Sequence, residues 1–173
     1  MYGILCMLWQ RSGRYGGSFD GRMADMEDTL QKAVDYIKTK IDIVPRIGLV
    51  LGSGLGDAAD IMEDMVCVPY RDIPGFPCST VAGHKGRFIF GHIDSVPVVV
   101  MQGRVHYYEG YSMEQCVMPV RTMFLLGAGK LILTNASGGI AGELDPGDMM
   151  ILTDHISAFI PVSYTHLTLP TNS

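Results

Sequence analysis

Short apolar runs, each closed by a turn of glycine or polar residues, restrict this chain to a small set of folds. The run 96–101, Val-Pro-Val-Val-Val-Met, reads as a buried strand, and 47–51, 87–93, 130–134 and 149–153 read as further strands. Helical spacing separates them. Residues 57–65 read as a short helix after the first strand, and Val117, Val120 and Phe124 mark a helix over 113–126. Pro119 lies inside that run, which implies a kink or a helix that starts there. Buried strands interleaved with helices favour an α/β fold around a mixed or parallel sheet.

The two ends differ from this pattern. Residues 1–22 show no periodicity and close in a glycine-rich stretch, whereas from Met23 onward Met26, Leu30, Ala33, Ile37 and Ile41 recur at helical spacing. Residues 1–22 are therefore expected to be a non-native or flexible extension, with Met23 as the start of translation. Residues 162–173 carry no charge and resemble a translated adapter, so they are expected to be a non-native tail. The body is then 23–161.

Composition excludes several classes of function. A formal charge of −5 and the absence of a Lys/Arg cluster speak against a nucleic-acid partner. No apolar run approaches the roughly 20 residues of a membrane span, and the basic residues near the start follow the apolar stretch instead of preceding it as a signal peptide requires. Cys6, Cys67, Cys78 and Cys116 are scattered without zinc-like spacing, as free thiols of a reducing cytoplasm would be. No metal-ligand set is expected.

The densest chemistry follows the run 96–101, in Gly103-Arg104-Val105-His106-Tyr107-Tyr108-Glu109-Gly110-Tyr111. If the chain stays extended there, Arg104, His106 and Tyr108 share one face. A cation, a titratable donor and a phenol on one wall suit an anionic, hydroxylated ligand. Gly52-Ser53-Gly54-Leu55-Gly56 follows another strand and can close backbone N–H groups on an anion, although a lone Gly-Ser-Gly is equally a plain tight turn. It is neither the dinucleotide fingerprint nor a P-loop. Gly83-His84-Lys85-Gly86-Arg87 and Thr134-Asn135-Ala136-Ser137-Gly138-Gly139 are further turns at strand ends. In open α/β sheets that edge is where ligands bind.

In order, these segments, with Ile73-Pro74-Gly75-Phe76-Pro77 and Pro119-Val120-Arg121, resemble the trimeric purine nucleoside phosphorylases of the inosine- and guanosine-cleaving class. The resemblance runs from about Ile47 to about Pro161. It implies a mixed, largely parallel central sheet flanked by helices, incomplete at the C-terminus. It implies phosphate-dependent cleavage of purine (deoxy)ribonucleosides to free base and (deoxy)ribose 1-phosphate in nucleoside salvage. The implied phosphate ligands are Ser53, His84, Arg104, Val105, His106 and Ala136, and the implied ribose or base contacts are Tyr108, Asn135 and Ala136. Arg104, His106 and Glu109 are the implied catalytic set, with Glu109 orienting a histidine or closing the site. No cofactor is implied, since inorganic phosphate is the co-substrate. A cytoplasmic homotrimer, with no nucleic-acid or membrane partner, is expected. The family's purine-recognising glutamate and asparagine belong to a region beyond Ile160, so this polypeptide by itself is expected to be inactive. Methylthioadenosine phosphorylase, or a non-catalytic phosphate-binding domain, are the alternative readings.

Overall fold

The computed structural model describes residues 3–10, 21–52, 54–78 and 85–153. Seven strands form one mixed sheet: β1 (Gly3–Gln10), β2 (Ile47–Leu51), β3 (Glu63–Pro69), β4 (Arg87–Ile93), β5 (Val96–Gln102), β6 (Lys130–Ser137) and β7 (Met149–Leu152). Their spatial order is β3-β4-β5-β2-β6-β1-β7. The β2–β5, β2–β6 and β1–β7 pairings are parallel, and β1–β6, β3–β4 and β4–β5 are antiparallel. Two helices, α1 (Gly21–Lys38) and α2 (Met113–Leu125), pack against the sheet.

The central strands read as continuous apolar runs because both of their faces are covered. Alternate residues Phe88, Phe90, Val99, Met101 and Val50 join Leu30, Ala33, Val34 and Ile37 of α1 and Met118 and Met123 of α2 in the larger core. The residues between them, Ile89, Val98, Val100 and Leu51, pack on Ala59 and Met62. Gly48 lets α2 come close, since a Cβ there would lie 2.8 Å from the Met123 terminal methyl. Tyr70, Phe76 and Phe88 form an aromatic knot with ring centroids 5.0 to 5.6 Å apart. Burial pushes the Tyr70 phenol well above its ordinary range, with Cys78 a lesser cause. It stays neutral and donates to the Gly103 carbonyl at 3.0 Å.

Strands 47–51 and 87–93 coincide with β2 and β4, and β5 runs one residue beyond its expected end. Elsewhere the structure departs from expectation. The helix expected over 57–65 is only a 3-10 helix, Gly56–Ile61, and Glu63–Pro69 is a strand that pairs with β4. Its Val66, Cys67 and Val68 lie directly opposite Phe90, Ile89 and Phe88, a cross-strand pairing that outweighs the weak helical pattern. The first strand, Gly3–Gln10, falls where no element was expected, and it pairs with all of β6. The helix α2 starts ahead of Pro119, at a capping box in which the Ser112 hydroxyl accepts from the Gln115 N–H and the Gln115 side chain accepts from the Ser112 N–H.

The aromatic knot joins β4 to the segment that precedes it. Phe88→Ala is expected to lower stability by about 3–5 kcal/mol, measured as a shift of the urea midpoint at constant slope. A loss under about 1 kcal/mol would show that the knot is not a principal element of the core.

Candidate functional site

Parallel pairing sends the C-terminal ends of β2, β5 and β6 to one edge of the sheet, and antiparallel β4 begins at that edge. The turns after β2 and β5, the end of β6 and the segment leading into β4 therefore meet there. Each predicted site residue among the described ones belongs to one of these segments. Ser53 and His84 lie outside the described residues.

The turn after β2 is closed by a hydrogen bond from the Leu55 N–H to the Gly52 carbonyl at 3.1 Å. Gly52 is fitted against the end of β6: a Cβ there would stand 2.6 Å from both the Asn135 Cα and the Thr134 carbonyl oxygen. Only glycine allows that approach. The buried Thr134 hydroxyl donates to the Val50 carbonyl at 2.9 Å and accepts from the Gly52 N–H at 3.1 Å. Thus one hydroxyl ties the glycine-rich turn to β6.

Beyond β5 the chain does not stay extended. Gly103 has φ +94 and Tyr107–Glu109 form a single 3-10 turn, so the alternation expected to align Arg104, His106 and Tyr108 is lost after His106. A different interaction brings two of the three together: the His106 and Tyr108 rings stack with centroids 4.8 Å apart. The turn is held by Glu109, whose carboxylate accepts from the His106 N–H at 2.8 Å while the His106 ring accepts from the Glu109 N–H. Val105 is buried and packs inward, so only its backbone is offered to a ligand at this edge. Tyr108 is 74% exposed. Arg104 is half-buried, and its guanidinium makes no hydrogen bond or ion pair among the described residues.

Asn135 and Ala136 do not form a turn as expected. They continue β6, opposite Leu5 and Ile4 of β1, with Asn135 half-buried and Ala136 exposed. The Asn135 side-chain oxygen accepts from the Ser137 hydroxyl at 3.1 Å. A strand end still presents side chains beside the Gly52 turn, so both residues reach the same edge by another route.

Two residues at this edge were not singled out from the sequence, Thr134 and Gln102. Each is a polar residue directly after an apolar run, at 8% and 3% exposure, and Gln102 is also the last residue of its strand; the polar residue after the apolar run is visible in the sequence. Among the described residues no cluster of His, Cys, Asp or Glu is able to hold a metal ion, and no helix is long and apolar enough to cross a membrane. An open cleft of about 370 Å³ lies at the opposite edge, lined by Arg46, Ile47, Val96, Gly127, Gly129 and Lys130. None of the segments described above reaches it. Thr134→Val removes the hydroxyl that serves Val50 and Gly52, and it is expected to cost about 1–3 kcal/mol, read from urea unfolding. An unchanged midpoint would show that the turn is held by other contacts.

The profile of the phosphorylase superfamily matches residues 46–168. Purine nucleoside phosphorylase 1 of Geobacillus stearothermophilus is 51% identical over 128 residues, 74% of this chain and 47% of that protein. Purine nucleoside phosphorylase 1 of Bacillus subtilis is 52% identical over 132 residues, 76% of this chain and 49% of that protein. The crystal structure of a schistosoma purine nucleoside phosphorylase in complex with hypoxanthine matches with a TM-score of 0.62 at 43% identity, over 68% of this chain and 41% of that one. The chain spans about half the length of the curated relatives it matches.

Proposed function

Because the chain belongs to the phosphorylase superfamily, we propose that it carries the phosphate- and ribose-binding part of a purine nucleoside phosphorylase. In the reaction, an oxygen of inorganic phosphate forms a bond to C1′ of a purine (deoxy)ribonucleoside as the bond from C1′ to the purine nitrogen breaks. The bonding pair leaves with the base, which takes up a proton, and (deoxy)ribose 1-phosphate remains. Inosine and guanosine are the substrates, and phosphate is a co-substrate that needs no further cofactor.

The observation that carries the reading is the half-buried Arg104 guanidinium, unengaged among the described residues, at the same sheet edge as the Gly52 turn. A permanently charged planar donor suits phosphate oxygens, and partial burial strengthens the attraction. Backbone N–H groups of the Gly52–Gly56 turn other than those of Gly52 and Leu55, and of Val105, with the Ser53 hydroxyl and the His84, His106 and Ala136 segments, complete the cradle. Cleavage builds oxocarbenium character on the sugar, as in glycoside hydrolysis. A phosphate dianion held in line both attacks and stabilises that charge. The exposed Tyr108 phenol, fixed by its stack on His106, faces the ribose hydroxyls together with Asn135. Glu109 holds the turn that orients His106. The protein acts in nucleoside salvage in the cytoplasm, as a homotrimer.

The test is absorbance-monitored cleavage of inosine, with and without phosphate, by the product of the complete reading frame. Arg104→Ala is expected to lower the rate at subsaturating phosphate by about 10²–10³-fold. An unchanged rate would remove Arg104 from the cradle. Cleavage of methylthioadenosine in place of inosine would assign the chain to a different nucleoside class.

A further inference from the structure

We propose that Gln102 is a positioning residue that sets the phosphate site by locking three loops to one another through a single buried amide. The inference rests on the phosphorolysis reading above. Gln102 is the last residue of β5 and 3% exposed. The sheet register sets it directly opposite Arg87, the first residue of β4, on one side, and Leu51, the last residue of β2, on the other. It thus stands where three candidate loops join the sheet.

Its side chain uses that position fully. The amide oxygen accepts from the Arg87 Nε at 2.7 Å, and the amide nitrogen donates to the Gly56 carbonyl at 2.7 Å. Arg87 leads back into the segment containing His84, and Gly56 ends the glycine-rich turn containing Ser53. Gln102 itself precedes Arg104 by one glycine. Strand alternation puts its side chain on the face of Val98 and Val100, beneath the 3-10 helix that Gly56 opens. An amide is the side chain that serves a guanidinium donor and a carbonyl acceptor at once. A glutamate would turn an oxygen toward the Gly56 carbonyl, and an apolar residue would leave both partners without a bond.

Nothing in this arrangement touches phosphate through Gln102. Its effect is on the relative placement of groups that do, and a displacement of about 1 Å at such a site is enough to cost orders of magnitude in rate. The expected signature is therefore selective for phosphate.

The experiment compares wild type with Gln102→Met, which keeps the volume and removes the amide, and with Arg87→Met, which breaks the network from its half-buried end. Both are measured in the product of the complete reading frame. Each variant is expected to raise the KM for phosphate about tenfold or more while the KM for inosine stays within about twofold. An unchanged phosphate KM in both overturns the inference and leaves the phosphorylase reading intact. So does a parallel rise of both KM values in step with lost thermal stability, which would mark a purely structural role. If the wild type cleaves no nucleoside, the phosphorylase reading fails and calorimetric titration with inorganic phosphate decides. Weaker binding in Gln102→Met than in wild type upholds the positioning role, whereas equal binding, or none in wild type, overturns it.

Discussion

Strand β2 is hydrogen-bonded in parallel to β5 on one side and β6 on the other, with Leu51 beside Gln102 and Val50 beside Leu133. Because the three strands run the same way, their C-terminal ends open onto one edge, and the loops that follow are forced to be neighbours. The hairpin between β4 and β5 adds a fourth segment. Asp94 and Ser95 both take left-handed conformations at φ 46 and 65, and the two-residue turn fixes Arg87 opposite Gln102. Burial of both sheet faces makes this register costly to slip, since a shift of one residue would exchange Phe88 and Phe90 for Ile89 in the larger core.

That edge is tied together by few polar groups, each used twice. Thr134 joins the Gly52 turn to β6, and Gln102 joins the end of the same turn to β4. Glycine at position 52 permits the close approach that a side chain would block. The Tyr70 phenol supports the Gly103 carbonyl from the core side. The Arg104 guanidinium stands apart from this network, unengaged among the described residues. It is a half-buried cation at a loop-lined edge in a chain of formal charge −5.

The sequence made the central strands legible because burial on both faces leaves an unbroken apolar run, and 47–51, 87–93 and 96–101 needed no partner to be recognised. Strands defined by their pairing were not legible. Glu63–Pro69 opens with two acidic residues, leaves Met65 and Cys67 exposed and gains its identity from β4, while Gly3–Gln10 gains its own from β6 and β7. The same pairing with β1 converts the turn expected at Asn135 and Ala136 into strand. At the site, residue types carried the signal for Arg104 and His106. The alternation argument for Tyr108 gave way to a 3-10 turn, yet its neighbour in space is the expected one through ring stacking. The bonds of Gln102 and Thr134 arise only when separate segments meet, so neither residue's task is written in its local sequence.

The central claim is that phosphate sits between the Gly52 turn and Arg104. Crystals of the protein grown with inorganic phosphate test it directly, by difference density at this edge. The account predicts a tetrahedral anion within hydrogen-bonding distance of the Arg104 guanidinium and the backbone N–H groups of the Gly52 turn. Phosphate bound instead at the opposite edge, between Arg46 and Lys130, with the Arg104 side empty at saturating concentration, would contradict it.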